Sequence, residues 1–356
     1  MNVKGAIVIA FSVLTQRDAA QPRHRAPSER SLSIVSVGDI LLGDAASDVL
    51  AKRGLTYPFE HVRGLYGDAD LVMGNLEGPV TNHDTAFAPS KDYTYRQRPE
   101  VALALRDVGF DVLALGNNHA LDYGPRGLAD TIEHLRRVGI STLGAGDREA
   151  EARRGLVIER KGVRIGLLSY LQPYGSYEGR GWYATPDRAG VARLDIDKVR
   201  EDIARIRAAA DIVIVHAHFG ANYKDVTPYQ RDIARMIIDA GADAVNGHHS
   251  HTAQGVDVYR GKPIIYSLGN FIFGTPGRFG EDVPGYGMVA RYNVEIPTRK
   301  IRSVEFDLIS TNNRQVRFRP QLVGVDEARR AWSEINIGFN TAPEWAGSTA
   351  IVQLPP

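Results

Sequence analysis

Apolar and polar positions alternate in three short runs near the start of the chain, and each run ends in a polar loop. SLSIVSVGD, from Ser31, reads as a strand closing on Gly38 and Asp39; DADLVMGNLEG reads as a strand leading to Glu77; GFDVLALGNNHALDYG reads as a strand leading to Asn118 and His119. The period changes to that of a helix in GPRGLADTIEHLRRVG, with Pro125 near its start and Gly139 at its end. DIDKVREDIARIRAAADIVIVHAHFG predicts a helix feeding a buried strand that ends at His218, and TPYQRDIARMIIDAGADAVNG repeats that arrangement. Hairpins are expected around Lys161-Gly162 and Arg260-Gly261, and strands return after Tyr286.

This mixture of βα units and hairpins predicts an α/β fold of layered sheets covered by helices, with polar loops gathered at the C-terminal ends of strands. No Pro/Gly/Ser-rich linker interrupts residues 31–340, so one domain is expected there, with 341–356 as a C-terminal tail. Residues 1–30 read as a flexible extension or a signal-like segment, dispensable for folding. The apolar run in MNVKGAIVIAFSVL is too short to span a bilayer, and the residues after it make a poor cleavage site. A cytoplasmic location is favoured on this reading, with export or a weak membrane anchor as the alternative.

Composition narrows the chemistry. With 43% hydrophobic and 24% charged residues the chain is ordinary globular protein, and a net charge of +1 leaves no electrostatic footprint for nucleic acid. Cysteine is absent, which excludes disulfide scaffolds, thiolate metal sites and cysteine nucleophiles. Any metal must be held by nitrogen and oxygen donors.

Such donors are concentrated in AVNGHHSHTAQG, where His248, His249 and His251 fall within four positions. Three imidazoles at one strand end each need a partner for the ring nitrogens, and a shared metal is one such partner. In extended backbone, residues two apart point the same way, so His249 and His251 are expected to converge while His248 faces elsewhere. The other strand ends supply Asp39, Glu77, Asn118 with His119, and His218. Carboxylate, amide and imidazole together suit one or two divalent ions, with Mn, Zn or Fe favoured over Mg or Ca.

Other residues are candidates for holding substrate. Tyr170, Tyr174, Tyr177, Trp182 and Tyr183 belong to or flank the Gly/Tyr-rich loop LQPYGSYEGRGWYATPDRAG, which reads as substrate-facing or as a packed Ω-loop. Arg96 and Arg98 in YTYRQRPE could clamp a carboxylate or phosphate.

The motifs VGDILLGD, NLEGPVT, LGNNHALDYG, HAHFGANY, DAGADAVNGHHSHTAQG and IIYSLGNFIFG run in order from about residue 34 to 274. As a set they resemble the CapA-type proteins of capsule and poly-γ-glutamate synthesis, in the calcineurin-like metallophosphoesterase superfamily. The resemblance implies a four-layer αββα sandwich of two mixed sheets flanked by helices, with a metal centre at one edge. It implies that Asp39 and His251 serve a first metal, Asn118, His218 and His249 a second, and Glu77 the bridge. His119 would take the part of the acid beside the metals, with Asp39 the other catalytic residue. Two positions depart from the pattern. Leu41 stands where the superfamily usually has a histidine ligand, which implies a weaker, more open first site or a single-metal resting state. Asn222 stands where the family commonly has glutamate; it and His248 are assigned to the substrate side.

Hydrolysis of a phosphoester or of a peptide or γ-glutamyl amide is the expected activity, with water acidified by the ion and His119 protonating the leaving group. The alternatives are metal-assisted removal of a Cα proton, giving a peptide epimerase, and a non-catalytic accessory role in capsule or poly-γ-glutamate synthesis. The expected substrate is thus a peptide, polyglutamate or phosphoester.

Overall fold

The computed structural model describes residues 30–277, 279–280, 285–339 and 341–355; the reading of residues 1–30 as an extension or signal therefore lies, Arg30 apart, outside the described residues. The strands form two large mixed sheets and a two-stranded pair. In the first sheet Ser31–Leu41 pairs in parallel with Leu71–Leu76, which continues through Val112–Ala114 to Ser141–Leu143. On its other side Ser31–Leu41 meets the antiparallel strands Tyr286–Glu295 and Lys300–Ser310. The second sheet has the parallel core Val163–Leu171, Ile212–His218, Ala244–His248 and Lys262–Leu268, with an antiparallel strand at each edge.

Side-chain alternation turns these sheets into four layers. Ile34 and Leu32 face Ile165, Leu167, Ile212 and Ile214 across the space between the sheets, where Met73, Val112 and Ile265 also lie. Val35 and Val37 point the opposite way, into a core shared with Val101 and Leu105 of helix Glu100–Asp107 and Leu128 and Leu135 of helix Gly124–Arg137. Leu168, Val213 and Val215 similarly face the helices Ile196–Arg207 and Pro228–Asp239. The central strands are buried on both faces, which is why these segments read as nearly continuous apolar runs. The expected αββα sandwich is the fold observed.

Both hairpins form where expected. Lys161 and Gly162 have φ of 50° and 75°, and Arg260 and Gly261 have 52° and 74°, the double left-handed turn whose twist matches paired strands. The expected C-terminal tail does not hang free. Thr349–Gln353 pairs antiparallel with Lys300–Ser310 and Glu344–Ala346 extends the edge, burying Ala350, Val352 and Leu354. Helix Val325–Ile335, not anticipated from the sequence, covers this end of the sheet with Ala328, Ala331 and Trp332. Among the described residues no helix is long and apolar enough to cross a membrane.

Candidate metal centre

The candidate donors meet because parallel strands of both sheets end at one edge, the position where open α/β sheets place their sites. Gly38 and Gly269 make the junction. A Cβ on Gly38 would lie 1.9 Å from the Gly269 carbonyl oxygen, so only glycine allows the strand to pass, and the Asp39 amide then donates to that oxygen at 2.9 Å. This close approach registers Asp39 against Asn270 and explains why the VGD and LGN motifs occur together.

Glu77 sits at the middle of the cluster. Its Oε1 lies 3.8 Å from His119 Nε2, 3.8 Å from His218 Nε2 and 3.7 Å from His251 Nε2, too far for hydrogen bonds. Both carboxylate oxygens are buried without a hydrogen-bond partner. Donor atoms of Glu77, His218 and His249 lie within 4.8 Å of one another, as do those of Asp39, Glu77 and His251. Asn118 Oδ1 is 2.7 Å from His218 Nε2. Glu77 thus belongs to both groups.

Protonation favours a cation here. Burial, reinforced by the charge of Asp39, pushes the Glu77 carboxyl well above its usual range. Burial also opposes charge on Asp39, but hydrogen bonds from His248 and His251 overcome it and hold Asp39 well below the carboxylate range. Burial, with the neighbouring His249, lowers His218 well below the ordinary histidine value; burial, with His251, brings His249 to about 3. Neutral imidazoles keep a lone pair, and His249 Nδ1 is buried and unpaired. An orphaned carboxylate among neutral imidazoles fits a divalent cation.

Asparagines hold the donors in place. Asn75 donates to Asp39 Oδ1 at 2.9 Å, and Asn117 donates to Asn75 Oδ1 at 3.1 Å while its own Oδ1 accepts the His119 amide. Asn270 Oδ1 lies 3.0 Å from His251 Nδ1. Each was visible as the polar residue after a glycine in GNLEG, GNNH and GNF, but nothing in the sequence marked it as supporting rather than ligating.

His119 has a partner the sequence reading missed. Asp122 Oδ2 accepts from His119 Nδ1 at 2.6 Å and also from the Tyr95 amide at 2.7 Å. Lys91 Nζ reaches Asp122 Oδ1 and donates to the Asn118 carbonyl at 2.8 Å. The Tyr95 ring stacks on the imidazole at 4.2 Å. Burial, with the adjacent Lys91 charge, lowers His119 to about 4 despite Asp122, so the ring is neutral near pH 7. The i, i+3 spacing of HALD was the available signal for Asp122; Lys91 arrives from a separate loop.

Several expectations need correction. His249 and His251 do not converge by strand alternation: the strand ends at His248, and both residues have positive φ, 95° and 56°, in the turn that follows. Backbone held in this region, unusual for histidine, aims both rings inward. His248 is buried behind Asp39, with Nδ1 at 3.3 Å from Asp39 Oδ1 and Nε2 at 3.1 Å from His216 Nδ1, so no face of it is open to substrate. Arg96 and Arg98 are exposed while Tyr95 and Gln97 between and beside them point inward. Arg96 lies over the Tyr123 ring and donates to the His83 carbonyl, away from the centre. Tyr170 is fully buried and donates to Asp202 on the helical side of its sheet. Tyr174, Tyr177 and Trp182 do approach the centre: Tyr174 lies 5.5 Å from the His249 ring, Asn118 donates to the Tyr177 hydroxyl, and the Trp182 indole donates to the Asn118 carbonyl. Tyr183 anchors the same loop through Gln172. Leu41, at the departing position, packs with Tyr95 and Phe273. Asn222 keeps a buried Oδ1 without a hydrogen-bond partner.

Residues 33–275 match the family described as bacterial capsule synthesis protein PGA_cap. The chain is 33% identical over 268 residues to the PGA biosynthesis protein CapA of Bacillus subtilis, covering 75% of this chain and 70% of that one. It is 32% identical over 275 residues to the capsule biosynthesis protein CapA of Bacillus anthracis, covering 75% of this chain and 66% of that one, about two thirds of the relative's length. Among solved structures it is similar to the calcineurin-like phosphoesterase YfkN from Bacillus subtilis, with a TM-score of 0.46 and 15% identity, over 85% of this chain and 98% of that one. The motif order, the family match across most of the domain and the identity to two CapA proteins lead to one conclusion: the chain belongs to the bacterial capsule synthesis protein family PGA_cap.

Proposed function

We propose that this protein is a divalent-metal-dependent hydrolase of capsule or polyglutamate metabolism, cleaving a phosphoester or a peptide or γ-glutamyl amide. The observation that carries this reading is the Glu77 carboxylate, buried without a hydrogen bond at 3.7–3.8 Å from three imidazole nitrogens, one of which belongs to a histidine oriented by Asp122. Asp39, Glu77 and His251 would hold one ion, and Glu77, Asn118, His218 and His249 a second. When bound, such ions polarise a carbonyl or phosphoryl oxygen and acidify water.

The remaining chemistry belongs to the chain. Asp122 fixes the His119 tautomer by accepting from Nδ1, which leaves the Nε2 lone pair facing the Glu77 side of the centre. His119 Nε2 takes a proton as the new bond forms; Asp122 stabilises the imidazolium, and the same atom returns the proton to the departing oxygen or nitrogen. Tyr95 holds the ring plane. Lys91 holds Asp122 in place.

The test is metal analysis of purified protein followed by a screen of phosphodiester and γ-glutamyl peptide substrates in heavy water. Metal-dependent cleavage that His119→Ala lowers by about 100-fold to 10,000-fold, with metal content retained, supports the assignment. Incorporation of α-deuterium without cleavage would replace hydrolysis by proton abstraction, and protein that takes up no divalent metal would end the reading.

A further inference from the structure

A cavity of about 450 Å³ lies beside the centre and shares its wall. Thr252–Gly255 of its lining follows His251 directly, and Tyr223, also in the lining, holds its ring 5.6 Å from the His251 ring. Val226, Ile335, Ile337 and Phe339 give it apolar sides. Its polar lining includes Lys224 and Arg231 against Asp225 and Glu334, and none of these four side chains forms an ion pair with a described residue.

Arg231 is the organised member of this set. Its guanidinium lies 4.1 Å from the Phe339 ring centre and 5.8 Å from that of Tyr266. Phe339 is in turn seated on backbone: a Cβ on Gly255 would come within 2.0 Å of the ring, so glycine makes the seat. Stacking fixes the plane of a guanidinium while leaving its N–H edge free, and that edge matches the two oxygens of a carboxylate. A preordered cation without an ion pair binds an anion at lower entropic cost than a mobile one.

We propose that this cavity is a subsite for a carboxylate-bearing peptide segment, with Arg231 binding the carboxylate and the apolar sides covering its methylene chain. The proposal rests on the reading of the adjacent centre as a hydrolytic site, for which it names a peptide rather than a phosphoester substrate. Equal numbers of acidic and basic groups in the lining oppose a densely charged phosphate and favour an isolated carboxylate beside an amine or amide.

Calorimetric titration of the metal-chelated protein with the dipeptide γ-glutamyl-glutamate, its carboxamide analogue and inorganic phosphate tests this. Wild type should bind the dicarboxylate peptide, and Arg231→Gln should weaken that binding by about tenfold or more while leaving the carboxamide analogue unchanged. Arg231→Lys, which keeps the charge without the fork, should fall between them. Equal affinity of wild type and Arg231→Gln for the peptide, no peptide binding by wild type, or phosphate binding as tightly as the peptide would each overturn the proposal. Because the titration is done without divalent metal, its outcome is separate from whether the centre binds metal.

Discussion

Replacing Glu77 by glutamine should make the metal-free protein more stable and the metal-bound protein less so. Glu77 is completely buried, and neither of its carboxylate oxygens accepts a hydrogen bond. A buried polar group left unpaired costs about 1–3 kcal/mol, and more when it is charged. The Glu77→Gln amide carries no charge to desolvate, so the chelated variant should gain about 1–3 kcal/mol over chelated wild type. In the presence of metal the order reverses, since an ion at 100 times its Kd stabilises a fold by about 2.7 kcal/mol and the variant loses the carboxylate common to both donor groups. Urea unfolding with chelator and with saturating Mn measures both differences, and an unchanged m value would show that the unfolding transition is the same. A variant less stable than wild type in chelator, or one stabilised by Mn as much as wild type, would refute the argument that Glu77 is held in place for a cation.

Asp122→Asn should lower turnover at least about 100-fold with metal content unchanged, because the amide can donate as well as accept and no longer dictates the His119 tautomer; steady-state kinetics with elemental analysis checks this. His249→Ala should reduce the metal bound per chain while leaving the fold intact by circular dichroism, since it removes one donor from the group with Glu77 and His218. Deleting residues 341–356 should cost roughly 3–6 kcal/mol in urea unfolding, the worth of burying Val352 and Leu354 at about 1.5–3 kcal/mol each, and a loss below 1 kcal/mol would show that the two edge strands contribute little.

Local rules acting on near neighbours made much of this protein legible. The Lys161-Gly162 and Arg260-Gly261 hairpins follow from which residues tolerate a double left-handed turn, and the helices at Gly124–Arg137 and Pro228–Asp239 follow from periodicity and their proline starts. The candidate donors Asp39, Glu77, Asn118, His218, His249 and His251 were identifiable because each lies near the C-terminal end of a strand, where side chains are free to serve a site. Direction was harder. Arg96 and Arg98 point outward because Tyr95 and Gln97 are committed to His119 and the Leu42 amide, and that choice of face is made by partners more than 20 residues away. The inward turn of His249 and His251 depends on positive φ, which a sequence of histidines does not advertise. Lys91, Asn270 and the C-terminal strands acquire their roles only when chain segments distant in sequence are brought together. Sequence determined which groups stand at the strand ends because that is a matter of local backbone preference; the tertiary structure decided which of them hold, orient or merely support, because those roles depend on distances that no local rule sets.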